Sequence, residues 1–304
     1  MVDVRKKVEE ITPEITQMRV HIHENPELSM KEYNTCALLE DYVKKNVKYD
    51  RLKRVGETGL FFELKGTKPG NGPTIVFRGD IDALPIQEDE HMSPRSKVPG
   101  VMHACGHDVH GTINVGAAKI LSEMKDQFSG SIYFFIQPAE EILQGAKLFL
   151  NDPEIDFDKI DAVAALHVSA ELDAGTIGVR YGAILASADG IRIRINGKGG
   201  HGAHCHTLRD PIVASAAVIN ALQTLVSRET NPANAVVISI CTIHAGEANN
   251  IVPDSVEMTG TVRTLNPADR DRMEASVKRV AASVAEAYRC TAEVEFSDYC
   301  PCMV

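Results

Sequence analysis

The chain has 304 residues, 44% of them apolar, and carries 42 acidic against 32 basic side chains for a formal net charge of −10, enough length and apolar content for two domains with cores of their own. The acidic balance, with no basic cluster or stripe, argues against nucleic acid or an anionic membrane as partner, and no apolar run approaches a bilayer span. Seven scattered cysteines, an odd number, read as reduced thiols, and no secretory apolar segment follows the charged N-terminus, so the expected compartment is the cytoplasm.

Val4, Val8, Ile11, Ile15 and Met18 recur at helical spacing, which predicts a helix over 3–20 closed by His21-Ile22-His23-Glu24-Asn25-Pro26-Glu27-Leu28, with a second helix over 31–46. Strands are expected at 60–64 and 74–77, separated by a Gly/Pro turn at 69–73, and the second runs into Arg78-Gly79-Asp80-Ile81-Asp82-Ala83-Leu84-Pro85. A helix is expected from about Asp108 to Leu121, then a buried strand over 131–136 that delivers Gln137-Pro138-Ala139-Glu140-Glu141. Residues 142–150 read as helical, and 162–166 as another apolar strand ending at His167. Strand and helix in alternation imply an α/β domain with a mostly parallel sheet, whose sites cluster where strands end.

The texture changes near residue 184. Strands at 188–195, 236–243, 255–263 and 291–296, with helices at 211–226 and 268–288, follow the β-α-β-β-α-β order of a compact ferredoxin-like domain with one open sheet edge. The expected division is 1–184 for a catalytic domain, 185–296 for an inserted lid, and 297–304 for the start of a return to the first domain.

The chemistry concentrates in Met102-His103-Ala104-Cys105-Gly106-His107-Asp108-Val109-His110, which packs a thiol, three imidazoles and a carboxylate around a glycine. Taken singly, Cys105 reads as a small buried hydrophobe and His107 as a satisfied polar residue. Together they straddle Gly106 just before a helix, so both can face one ion. Glu140 and Glu141 follow a strand too apolar to be a surface edge, where two adjacent carboxylates need cations or shifted pKa values. His167 repeats the pattern at another strand end. The set offers soft, borderline and hard ligands for a transition metal plus a spare carboxylate, which points to metal-assisted hydrolysis. Asp80 and Asp82 read either as turn aspartates or, for Asp82, as the carboxylate that fixes the tautomer of a metal-bound imidazole. In the second domain Gly197-Lys198-Gly199-Gly200-His201-Gly202-Ala203 is either a flexible hairpin or a loop that brings backbone close to a ligand and presents His201 as a donor. Asn250 sits in a loop before a strand, and Arg263 closes one.

These segments, in this order and over almost the whole chain, resemble the M20 metallopeptidase family, in particular its branch of aminoacylase and hippurate-hydrolase-like amidohydrolases. The resemblance implies an α/β, zinc-peptidase-like catalytic domain interrupted by a ferredoxin-like α+β lid through which the chain forms a homodimer. It implies Cys105, His107, Glu141 and His167 as ligands of two divalent metal ions (Zn, Mn, Co or Ni) and Glu140 as the general base and acid. The reaction implied is hydrolysis of the amide bond of small-molecule N-acyl amino acids by metal-activated water. His201 and Asn250 occupy the positions of oxyanion or substrate contacts, and Arg263 is a candidate for the substrate carboxylate. Cys105 in place of a carboxylate favours this branch over dipeptidases of other M20 branches. The family pattern continues into a returning segment with a last histidine ligand, which has no counterpart before Val304. The chain therefore reads as C-terminally truncated, with a weakened second ion, and a remnant that only dimerises or binds metal or ligand is the competing expectation.

Overall fold

The computed structural model describes residues 3–303; Met1, Val2 and Val304, the outermost residues of the expected domains, lie outside it. The chain divides into two compact units, Met1–Gly175 and Thr176–Val304.

In the first unit, α1 (Val4–Glu24) and α2 (Tyr33–Asn46) precede β1 (Arg51–Val55), β2 (Gly59–Lys65) and β3 (Thr74–Asp80). Next come α3 (His107–Ser122), β4 (Ser131–Gln137), α4 (Gly145–Leu150) and β5 (Ala162–Ala165). The sheet order is β1-β2-β4-β3-β5. The β4-β3-β5 part is parallel, while β1 and β2 extend it antiparallel. The apolar runs of β2 and β4 are central and buried on both faces, which is why they read as continuous hydrophobic stretches. Phe62 stacks on Phe134 with ring centroids 4.7 Å apart. On that face Ile22, Leu39, Val43 and Val115 bring α1, α2 and α3 onto the sheet. On the other, Phe61, Phe135 and Phe149 form a second core with α4.

Four features differ from the sequence expectations. Helix α1 runs on through His21-Ile22-His23, because His23 is buried and bonded to Asp108 and Glu88. Strand β1 was not foreseen: its Lys53 and Arg54 reach out to Asp152, Glu154 and Glu40, so a cationic run makes a sheet edge. The helix expected over 142–150 begins only at Gly145, since Ala139 and Leu143 take φ of 50° and 55° in the turn before it. Finally, β5 forms where expected but not in a buried setting. It is the outermost strand and exposed along its length.

The second unit has the β-α-β-β-α-β order: β6 (Ala188–Asn196), α5 (Pro211–Ser227), β8 (Val236–His244), β10 (Ser255–Thr264), α6 (Pro267–Ala287) and β11 (Thr291–Cys300), with a two-stranded ribbon of β7 (Gly200–His201) and β9 (Ile251–Val252). Asp210 and Asn266 cap the two helices by accepting from Ile212 N–H and Ala268 N–H, each followed by proline at the first helical position. The four-stranded sheet, ordered β11-β6-β10-β8, is antiparallel throughout and buries Ile191, Ile193, Ile195, Val256 and Met258 against Val218, Leu222, Val277 and Val280. Strand β11 continues past the expected boundary at 296, with Cys300 opposite Ala188. No described helix is long and apolar enough to cross a membrane.

Candidate metal centre

Because β3, β4 and β5 are parallel, their C-terminal ends lie along one edge of the sheet, as sites in such sheets do. The end of β3 supplies Asp80 and then Asp82; β4 leads into Ala139–Glu141; β5 leads to His167. The start of α3 completes the edge. Gly106 caps that helix in the left-handed region at φ 86°, a conformation glycine adopts without strain. Cys105 and His107 therefore flank a sharp turn.

The ligand atoms of Cys105, His107 and His167 all lie within 4.8 Å of one another, as do those of His107, Glu140 and Glu141. His107 joins the two groups. Its ring is fully buried, and its Nδ1–H donates to Asp82 Oδ1 at 3.0 Å. Its Nε2 then faces Glu141 Oε1 at 3.8 Å and Glu140 Oε2 at 3.9 Å. His167 Nδ1 lies 2.7 Å from the Val168 carbonyl, which can only accept, so Nδ1 carries the proton. The lone pair of His167 Nε2 is thus left for Cys105 Sγ, 3.4 Å away. Both histidines present the same kind of ligand atom to the same space.

The Glu140–Glu141 turn is held from outside. Ala139 N–H donates to Glu32 Oε1 at 2.8 Å and Glu141 N–H to Asp82 Oδ2 at 3.1 Å. Gly145 N–H returns to Ala139 O at 3.0 Å, and a Cβ at Gly145 would fall 1.6 Å from Pro138 O. Glu32 is fully buried, and burial raises its pKa. Its role was not visible in the sequence, because it sits far from the residues it supports and looks like an ordinary helix-start glutamate.

Charge at this edge is unbalanced. Burial, and then the nearby Asp80 carboxylate, raise Glu140. Burial and the neighbouring Glu141 push the Cys105 thiol up to about 12. Burial also opposes ionisation of Asp80 and Asp82. Hydrogen bonds and nearby positive charge together more than offset it, from His110 and Arg78 for Asp80 and from His107, Ser29 and the Glu141 N–H for Asp82, so Asp82 is lowered and Asp80 falls to about 2. For His107, burial is outweighed by Asp82 and the surrounding carboxylates, and its pKa rises. His107 Nε2 and Glu141 Oε1 are buried with no hydrogen-bond partner among the described residues. Buried acceptors facing one another across 3.8 Å are unfavourable unless a proton or a cation lies between them. A thiol, two lone-pair-directed imidazoles and carboxylates are the donor set of a divalent transition metal, so these residues fit one.

The three imidazoles of 103–110 separate in the structure. His103 is buried with neither ring nitrogen hydrogen-bonded among the described residues, and burial lowers it to about 4. His110 lies between Asp80 Oδ1, at 2.6 Å from its Nδ1, and Val168 N, at 2.9 Å from its Nε2.

In the second unit, His201 pairs with Ile251 across the β7–β9 ribbon, and Gly202 N–H donates to Asn250 O at 2.8 Å, so His201 and Asn250 are brought together. A groove of about 410 Å³ beside them is lined by Gly202, Ile212, Gly246, Glu247, Asn250 and Ile251. Arg263 does not join them. It lies opposite Val237 at the far end of β10, where its guanidinium bonds Thr261 and the Val262 carbonyl. At about 3.3 Å per residue, that is roughly 25 Å of strand from Ser255.

The sequence model of peptidase family M20/M25/M40 matches residues 76–301. The chain belongs to the M20 peptidase family. It is accordingly a hydrolase, and known M20 proteins resemble it along nearly all of its length. It is 39% identical over 298 residues to thermostable carboxypeptidase 2 of Saccharolobus solfataricus, covering 97% of this chain and 75% of that one. It is 37% identical over 297 residues to the N-acyl-L-amino acid amidohydrolase of Geobacillus stearothermophilus, covering 98% and 79%. Among solved structures, the Bacillus subtilis YXEP protein, a dinuclear metal-binding peptidase of the M20 family, superposes with a TM-score of 0.82 at 35% identity, covering 97% of this chain and 76% of that one.

Proposed function

We propose that this M20 hydrolase cleaves the amide bond of N-acyl amino acids at a centre of two divalent ions held by Cys105, His107, Glu141 and His167, with Glu140 moving the proton. The observation that carries this reading is the convergence of those four side chains with one carboxylate left over, its proton affinity raised by burial and by Asp80. Divalent ions bound there supply Lewis acidity, polarising the amide carbonyl and making water acidic enough to react near neutral pH.

The remaining work falls to the protein. Glu140 takes the proton of the attacking water and delivers it to the departing amine, a role that needs a carboxylate whose pKa lies above the ordinary glutamate range. Asp82 holds His107 in one tautomer and also holds the Glu141 backbone, so a single carboxylate orients two ligands. Arg78, paired with Asp80 at 2.7 Å, keeps that carboxylate ionised behind the site. His201 and Asn250 contribute substrate or oxyanion contacts; Arg263, at the far end of β10 from them, would reach the carboxylate of the same small substrate only from a second chain. Dimerisation through the second unit is supported by β8, an edge strand with Val237 and Ile243 exposed. The presence of all four ligands with Glu140 beside them favours turnover over a binding-only remnant.

The carboxypeptidase relative keeps peptide substrates as a second reading. Protein reconstituted with Mn²⁺, Zn²⁺, Co²⁺ or Ni²⁺ and assayed in parallel on N-acyl amino acids and dipeptides separates the two. Glu140→Gln is expected to lower kcat by about 10²–10⁴-fold with metal content unchanged. Retained turnover in that variant would overturn the role given to Glu140.

A further inference from the structure

We infer that His110 is a positioning residue whose hydrogen bonds to Asp80 and Val168 latch the exposed segment bearing His167 onto the buried side of the metal centre. This inference rests on reading His167 as a ligand. Pairing of β5 with β3 ends at Ala165, and Leu166 and Val168 are exposed. Among the described residues, the Val168 backbone N–H donates to His110 Nε2 at 2.9 Å.

The direction of this chain of bonds follows from chemistry. A backbone N–H can only donate, so His110 Nε2 accepts and its proton sits on Nδ1. Nδ1–H then donates to Asp80 Oδ1 at 2.6 Å, and Asp80 is itself fixed by Arg78 at 2.7 Å. His110, Asp80 and His107 have potential ligand atoms within 4.8 Å of one another. The lone pair His110 would offer a cation is nevertheless already directed at Val168. His110 is therefore a support for a ligand and not a ligand.

Two packing contacts complete the latch. The His110 ring meets the His167 ring edge-on, centroids 4.6 Å apart. The Val168 side chain occupies the space left by Gly106, where a Cβ would lie 2.3 Å from Val168 Cγ2. The glycine that turns the chain between Cys105 and His107 thus also seats the residue after His167. The three ligands of that group are tied together before any ion arrives, so the ion does not have to order the segment itself.

The test uses the 304-residue metal-stripped protein titrated with Co²⁺, following the ligand-field bands and the thiolate-to-cobalt charge transfer, alongside melting of each metal-free form. His110→Phe keeps a ring but loses both hydrogen bonds. His110→Gln can donate to Asp80 and accept from Val168 through one amide. His167→Ala reports the ligand itself. His110→Phe is expected to bind Co²⁺ about 10–100-fold more weakly, as His167→Ala does, while His110→Gln recovers most of the affinity. If His167→Ala is weakened and His110→Phe binds like wild type, the latch is overturned and the ligand reading stands. If His167→Ala also binds like wild type, the ligand reading falls and the latch with it. If His110→Gln is no better than His110→Phe while the metal-free proteins melt like wild type, the ring and not its hydrogen bonds matters, which also overturns the latch. Should His110→Phe fail to fold, His110→Gln decides alone: near-native affinity supports the latch and a tenfold loss overturns it.

Discussion

His107 and His167, the two histidines proposed as ligands, present the same ring nitrogen under opposite conditions. His107 is fully buried at the start of α3, and its Nδ1–H is held by the carboxylate of Asp82 at 3.0 Å. His167 follows the exposed edge strand β5, and its Nδ1–H is held by the carbonyl of the next residue at 2.7 Å. Each tautomer is fixed, but one by a buried charge within the core and the other by a local backbone turn. A buried charge-assisted hydrogen bond is stronger and harder to replace than an exposed neutral one. In the proposed centre the buried arm is therefore expected to set the strength of metal binding, and the exposed arm to close it.

Asp82→Asn breaks the buried arm most directly. The asparagine keeps the volume but loses the charge that holds His107 and weakens the acceptor for Glu141 N–H. Metal affinity is expected to fall by about 10–100-fold, measured by competition with a chromophoric chelator. An unchanged affinity would mean that His107 is oriented by its helix alone.

Protons and metals compete for the same arm. His107 and Glu140 are both raised in the folded chain from ordinary values of 6.5 and 4.5. A raised folded pKa adds stability that is full below the unfolded value and is lost as pH rises through the folded one. From these two groups the metal-free protein should thus lose stability as pH rises from 4.5 through the raised Glu140 value and from 6.5 through the raised His107 value, while bound cations replace the protons in the loaded form. The lowered Asp80 and Asp82 act with the opposite sign only as pH falls below 3.8, and His103, lowered to about 4, acts with the opposite sign up to 6.5, so the test reads the difference between loaded and metal-free forms. Paired melting curves with and without chelator should show a gap that widens with pH; a constant gap would count against proton–metal exchange at this site.

The smallest effect belongs to the exposed arm. Val163→Thr on β5 is expected to change stability by less than about 0.5 kcal/mol, because the side chain is exposed at 64%. A loss of more than about 2 kcal/mol in denaturant unfolding would show that β5 is buried in solution.

The contrast between the arms also explains what could be read from the sequence. Strand β4 was legible because Phe134, Phe135 and Ile136 are buried on both faces, and the carboxylates at its end follow from that. The capped, proline-started helices α5 and α6 were legible because their signals are local. Strand β5 was placed correctly but its exposure was not, since an apolar run looks the same at the centre and at the edge of a sheet. Strand β1 was missed because its charges are satisfied by carboxylates brought from elsewhere, among them Glu40, Glu63, Asp152 and Glu154. Glu32 and His110 escaped for the same reason: Ala139 and Val168, the backbones they hold, lie 107 and 58 residues away.

X-ray absorption at the metal edge of Zn²⁺- or Co²⁺-loaded protein tests the central claim most directly. One sulfur scatterer at about 2.3 Å, beside nitrogen and oxygen scatterers near 2.0–2.1 Å, is expected. The sulfur shell should vanish in Cys105→Ser, and the imidazole scattering should diminish in His107→Ala and His167→Ala. A spectrum with no sulfur shell in the wild-type protein, or one that the three substitutions leave unchanged, would contradict the convergence of these residues on bound metal.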